Sequence, residues 1–99
     1  MENVFISEIQ VAPIKPQNGL VGFASCIINN QFYCGNIAIY TSPNSPQGFR
    51  LVFPNKKLGS GQVVDCFHPI NREAEECVTI AIVNKYVELM DNFNNVETF

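Results

Sequence analysis

Positive charge is scarce in this chain. Six Lys and Arg residues stand against nine Asp and Glu among 99 residues, a formal net charge of -3. The bulk positive field of a dedicated nucleic-acid binder is therefore missing, and any hold on a polyanion has to come from local patches or from several copies brought together. Histidine is scarcer still: His68 is the only imidazole, so a histidine-based mechanism would have to rest on it. The four cysteines, Cys26, Cys34, Cys66 and Cys77, form no Cys-x-x-Cys pair and lack the Cys/His spacing of a zinc site. They read as small apolar fillers, because free cysteine is among the most buried residue types. No metal or other cofactor is expected. No phosphate-cradling Walker loop, dinucleotide glycine fingerprint, nucleophile elbow or metal cluster occurs, so no catalytic residue is assigned and the chain is not expected to be an enzyme. No apolar run approaches the roughly 20 residues needed to cross a bilayer. The N-terminal Met1-Glu2-Asn3-Val4-Phe5 has no basic region leading into an apolar block, and a cytoplasmic protein without membrane contact is expected.

What is present is enough for one core. A 46% hydrophobic chain of 99 residues suits a single compact domain, and its small size makes stabilisation by self-association plausible. Residues 1–92 are read as that domain and 93–99 as a flexible tail.

Val4 to Val11 alternates with period two and reads as a strand that Pro13 and Pro16 break, followed by an irregular turn through Lys15 to Gly19. Leu20 to Ile28 is apolar on both faces, as a central strand would be. Asn29-Asn30-Gln31 then supplies a tight hairpin, since Asn tolerates positive φ. Phe32 to Tyr40 continues as a strand in which Gly35 marks a bulge or a close backbone approach. Thr41 to Gly48 is a loop, Phe49 to Phe53 a fourth strand stopped by Pro54, Asn55 to Gly61 a polar connection, and Val63 to Phe67 a short fifth strand.

Asn71 is a good N-cap, and Glu73, Glu75 and Glu76 complement the dipole of a helix expected to end near Met90. Its apolar residues occupy two faces: Ala74, Val78, Ile82, Tyr86 and Leu89 on one, Ile80, Val83, Val87 and Met90 on another. One sheet covers only part of that surface, which favours a helix that also meets a second subunit over one sunk wholly in its own core. The fold class is α+β: an antiparallel sheet of four to five strands with a C-terminal helix.

Four of the six basic side chains gather in one region of sequence: Arg50, Lys56, Lys57 and Arg72. Lys56 and Lys57 adjoin in a Gly-flanked loop, where ammonium groups, Asn55, Ser60 and loop amides could neutralise and bind phosphate oxygens. The plainer reading is a loop kept soluble by lysine, and spacing does not choose between them. Asp65 precedes His68 by three residues in an extended run, so their side chains should point to opposite faces and form no dyad. Pro69 holds His68 extended, which favours a structural role at the strand-to-helix joint. Phe49, Phe53 and Phe67 sit where strands build cores, while Phe23, Tyr33 or Tyr40, if exposed, could stack on bases.

The run from Gly48 to Asn71 orders these features in a way that strongly resembles the SpoVG family of bacterial regulatory proteins: a small-residue turn, an apolar strand, Phe53-Pro54-Asn55-Lys56-Lys57, a polar stretch, then Val64-Asp65-Cys66-Phe67-His68-Pro69-Ile70-Asn71. Upstream, Phe23-Ala24-Ser25-Cys26-Ile27-Ile28 with its short polar turn is similar to that family's Ala-Ser-Ile hairpin. The resemblance implies a small α+β fold, a homodimer or larger assembly, and a cytosolic protein that binds DNA or RNA and influences gene expression, septation and sporulation. It implies nucleic-acid contacts at Lys56, Lys57 and Arg72, with Arg50 an addition of this chain. Where the family tends to carry basic residues, this chain has Val11, Val21 and Ala38, and each missing charge weakens phosphate binding. The alternative is a protein-interaction module in cell-division regulation that binds little nucleic acid, using an exposed sheet edge or helix face.

Overall fold

The computed structural model describes residues 4–45 and 47–97. Four strands, β1 (Ile6–Gln17), β2 (Leu20–Ile28), β3 (Phe32–Thr41) and β4 (Phe49–Val52), pair antiparallel in chain order. A separate two-stranded ribbon, β5 (Asn55–Lys57) and β6 (Val63–Asp65), follows, and then the helix α1 (Arg72–Glu97). The class is α+β, as expected, with the fifth-strand segment pairing in the ribbon instead of in the main sheet.

β1 runs through Pro13 and Pro16 and does not break at them. It is an edge strand, where an amide that faces away from the sheet needs no partner and proline is tolerated. The irregularity appears instead as register shifts between Ser7 and Gln10 and between Pro13 and Gln17. Glu8, within the first shift, has φ of 50°. Gln17 pairs with Leu20, so the β1–β2 turn is the two-residue Asn18-Gly19 at φ of 54° and 90°, the favoured hairpin chemistry.

The β2–β3 hairpin turns through Asn29 and Asn30 at φ of 52° and 58°, as expected from asparagine. β2 is central and its partners bury it: Val21, Ala24 and Cys26 join Cys34, Ile37 and Ile39 of β3 in the core. The bulge expected at Gly35 is present. Ala24 pairs with Ile37 and Cys26 with Cys34, so Gly35 and Asn36 lie opposite Ser25 alone.

α1 covers one face of the sheet. Asn71 caps it, its Oδ1 accepting from the Ala74 amide at 2.7 Å. Val78, Ile82 and Tyr86 seat in the core, and the Phe49 ring meets Tyr86 edge-on at 5.3 Å. Val83 and Met90, from the second apolar set, also turn inward, which leaves Ile80, Val87 and Leu89 exposed. The helix continues beyond Met90 to Glu97. The segment read as a tail, 93–99, thus begins on helical backbone and ends on residues 98–99, outside the described residues.

Candidate functional site

Lys56 and Lys57 lie in a strand and not in the Gly-flanked loop expected. They form β5, with Lys56 opposite Val64 and Lys57 opposite Val63. The apolar alternation that marks a strand is missing from Asn55-Lys56-Lys57, which is why sequence periodicity does not find it. The ribbon closes through a turn in which the Leu58 amide donates to Gln62 O at 2.7 Å and Gly61, at φ of 94°, donates to Leu58 O at 2.9 Å. At its base the Cys66 and Phe67 amides both donate to Pro54 O, at 3.0 and 3.3 Å. The Phe53 and Phe67 rings, 6.2 Å apart, pack against the core beside that clamp. Beyond the clamp the ribbon stands clear, and every residue from Asn55 to Val63 is exposed.

Because neighbouring side chains on a strand alternate, Lys56 shares a face of the ribbon with Val64, while Lys57 shares the other with Asn55, Val63 and Asp65. The two lysine side chains therefore leave the ribbon on opposite faces. Among the described residues no ion pair engages Lys56, Lys57, Arg50 or Arg72. Arg72 opens α1, where Glu73 and Glu75 of the first turn surround it with negative charge. Arg50 lies on β4 between Phe49 and Leu51, both of which pack against the core, so its side chain belongs to the sheet face away from the helix. There its guanidinium carbon sits 4.9 Å from the centre of the Tyr40 ring. The four basic residues therefore occupy a projecting ribbon, a helix start and an open sheet face.

His68 and Asp65 do meet, contrary to the expectation from an extended run. The strand ends at Asp65 and the chain bends through Cys66 and Phe67, which brings His68 Nδ1 to 3.4 Å from Asp65 Oδ2 with both side chains at least half exposed. A pair this open to water contributes little to stability. The cysteines divide. Cys26 and Cys34 are buried fillers, Cys77 is half-buried with its thiol donating to Val4 O at 3.1 Å, and Cys66 is exposed. Among the described residues no group of three or more His, Cys, Asp or Glu could hold a metal ion, and no helix is long and apolar enough to cross a membrane.

Sequence reasoning left open whether any aromatic residue was exposed. Phe23 and Tyr33 are, and Tyr40 is half-buried. Ile70, beside the capping Asn71, is 88% exposed, an apolar group that a strand-to-helix joint does not need on its surface.

The family model for SpoVG matches residues 4–88. The chain belongs to the SpoVG family. Among curated SpoVG relatives, the "Putative septation protein SpoVG" of Aster yellows witches'-broom phytoplasma is 30% identical over 94 residues, covering 95% of this chain and 92% of its own length. The protein of the same name from Finegoldia magna is 27% identical over 93 residues, covering 94% and 83%. That from Archaeoglobus fulgidus is 24% identical over 83 residues, covering 84% and 94%. The SpoVG match takes in the whole sheet, the ribbon and the helix as far as Glu88.

Proposed function

We propose that this SpoVG-family protein is a nucleic-acid-binding regulator, without catalytic activity, that influences septation, sporulation or gene expression. It acts in the cytoplasm as a homodimer or larger assembly. The observation that carries the proposal is the ribbon: a clamped, projecting hairpin that presents Lys56 on one face and Lys57 on the other, with no carboxylate paired to either among the described residues. A protruding two-stranded ribbon reaches a phosphate backbone that a flat, acidic protein surface would repel, and splayed lysines contact two phosphates instead of one. The septation part of the role comes from the names of the relatives. Self-association is supported by Ile80 and Val87, apolar and exposed on the helix side that the sheet leaves free. Two ribbons in one assembly would double the local positive charge on a protein whose net charge is negative.

The test is binding to DNA and RNA at low salt by fluorescence anisotropy. The parent binds and Lys56→Ala/Lys57→Ala loses most of that affinity, whereas equal binding by the two proteins would remove the ribbon from the account. One feature favours a second reading, a protein-interaction module: Ile70, Leu58 and Val63 expose apolar surface on and beside the ribbon. No binding to any nucleic acid at low salt would favour it.

A further inference from the structure

We infer that the sheet face away from α1 is a stacking platform for the bases of single-stranded nucleic acid, built on Tyr33, Phe23 and the Tyr40–Arg50 pair. This rests on the nucleic-acid reading above and adds the class of ligand. β3 bulges at Gly35 and Asn36, and the Tyr33 ring lies over the glycine. A methyl group placed on Gly35 would meet Cε2 of that ring at 3.0 Å and Cζ at 3.1 Å. The ring thus covers the glycine and stays close to the sheet, yet Tyr33 is 71% exposed. Tyr33 and Phe23, itself 40% exposed, line one shallow depression of about 260 Å³ whose other walls include Gln10, Ser25 and Asn36.

Register explains why the Phe23 ring is accessible. It stands in a row Ala12–Phe23–Ala38–Val52 that crosses all four strands, with a small alanine on either side. Tyr40 is two residues beyond Ala38 on β3, a diagonal neighbour of Phe23 at about 7–8 Å between backbones, within reach for aromatic side chains. Arg50, opposite Tyr40 in register, places its guanidinium on the Tyr40 ring. Aromatic rings spread over a sheet, polar groups between them and a cation at one end match a strand whose bases are splayed out. They do not match a duplex, whose bases are stacked on one another. Charge sets the direction: Glu8 lines the far end of this face near Tyr33, so the phosphate chain enters from the Arg50 side.

The test uses fluorescein-labelled oligothymidylate of about 15 nucleotides, a length within the usual range of such sites, against a duplex of equal length. The chain has three tyrosines and no tryptophan, so tyrosine emission reports stacking directly. Single strand should quench that emission, and Tyr33→Leu should weaken single-strand affinity by roughly 5- to 150-fold, the range for one stacked base. Tyr33→Phe should bind as the parent does, and duplex affinity should be unchanged in both. If Tyr33→Leu binds oligothymidylate like the parent while Lys56→Ala/Lys57→Ala loses it, the platform is wrong and the ribbon reading stands. If the parent binds neither probe, both fall. If Tyr33→Leu changes the sedimenting mass and not the binding, the face belongs to a second copy of the chain and the platform is overturned.

Discussion

Cys26 and Cys34 face each other across the β2–β3 pairing, and burial pushes both thiols up in pKa. For Cys34, burial first and the neighbouring Cys26 thiol second together raise the value from 9.0 to about 11. The folded chain therefore holds a proton that the unfolded chain releases, so stability is full below about pH 9 and falls as pH rises through the window to about 11. Urea midpoints measured across that window should decline in the parent, and a flat profile would count against a buried thiol. Cys66, exposed at the base of the ribbon, should react with a thiol reagent at once, while Cys26 and Cys34 wait for the protein to open. Asn71→Ala removes the 2.7 Å cap on Ala74 and should cost about 1 kcal/mol in urea unfolding. The cap was legible in the sequence because an N-cap is a local device. The Asp65–His68 contact was not, because it depends on where β6 stops pairing with β5, and no residue near Asp65 states that.

At the scale of elements, β2, the Asn29-Asn30 turn and the Gly35 bulge could be read directly, since each rests on local backbone preference or on an unbroken apolar run. β1 could not. Proline forbids a strand only where its missing amide would have had a partner, and edge position is a property of the assembled sheet. The ribbon was hidden for a related reason: Asn55-Lys56-Lys57 has no face to bury, and its strand character comes from pairing with Val63-Val64-Asp65. That change from loop to strand alters the expected energetics of the site. Side chains on opposite faces of a ribbon share no partner, so the losses of nucleic-acid affinity in Lys56→Ala and Lys57→Ala should add within about 0.5 kcal/mol in the double variant. A double variant no worse than the weaker single would mean one shared phosphate and an ordering of the ribbon different from the one described. Within α1, Ile82 is fully buried against the sheet, and Ile82→Ala should lower stability by about 2–5 kcal/mol.

For the whole molecule, the scale of the problem is set by charge. A protein of net charge -3 gains no help from its overall field, and the residues that could have supplied more cation, Val11, Val21 and Ala38, are apolar and serve packing, Val21 within the core itself. The family was legible from the order of motifs along Gly48 to Asn71, while the distribution of the basic residues over ribbon, helix start and open sheet face was not, because it arises from strand order and register. Binding carried by a few lysines has a definite signature, since each phosphate contact releases counterions and adds about 0.7 to 0.9 to the slope of log affinity against log salt. The most direct test is that slope, measured by anisotropy on one labelled oligonucleotide for the parent and for Lys56→Ala/Lys57→Ala. The slope should fall by about 1.4 to 1.8 in the double variant, two contacts' worth. An unchanged slope would contradict the assignment of phosphate binding to the ribbon.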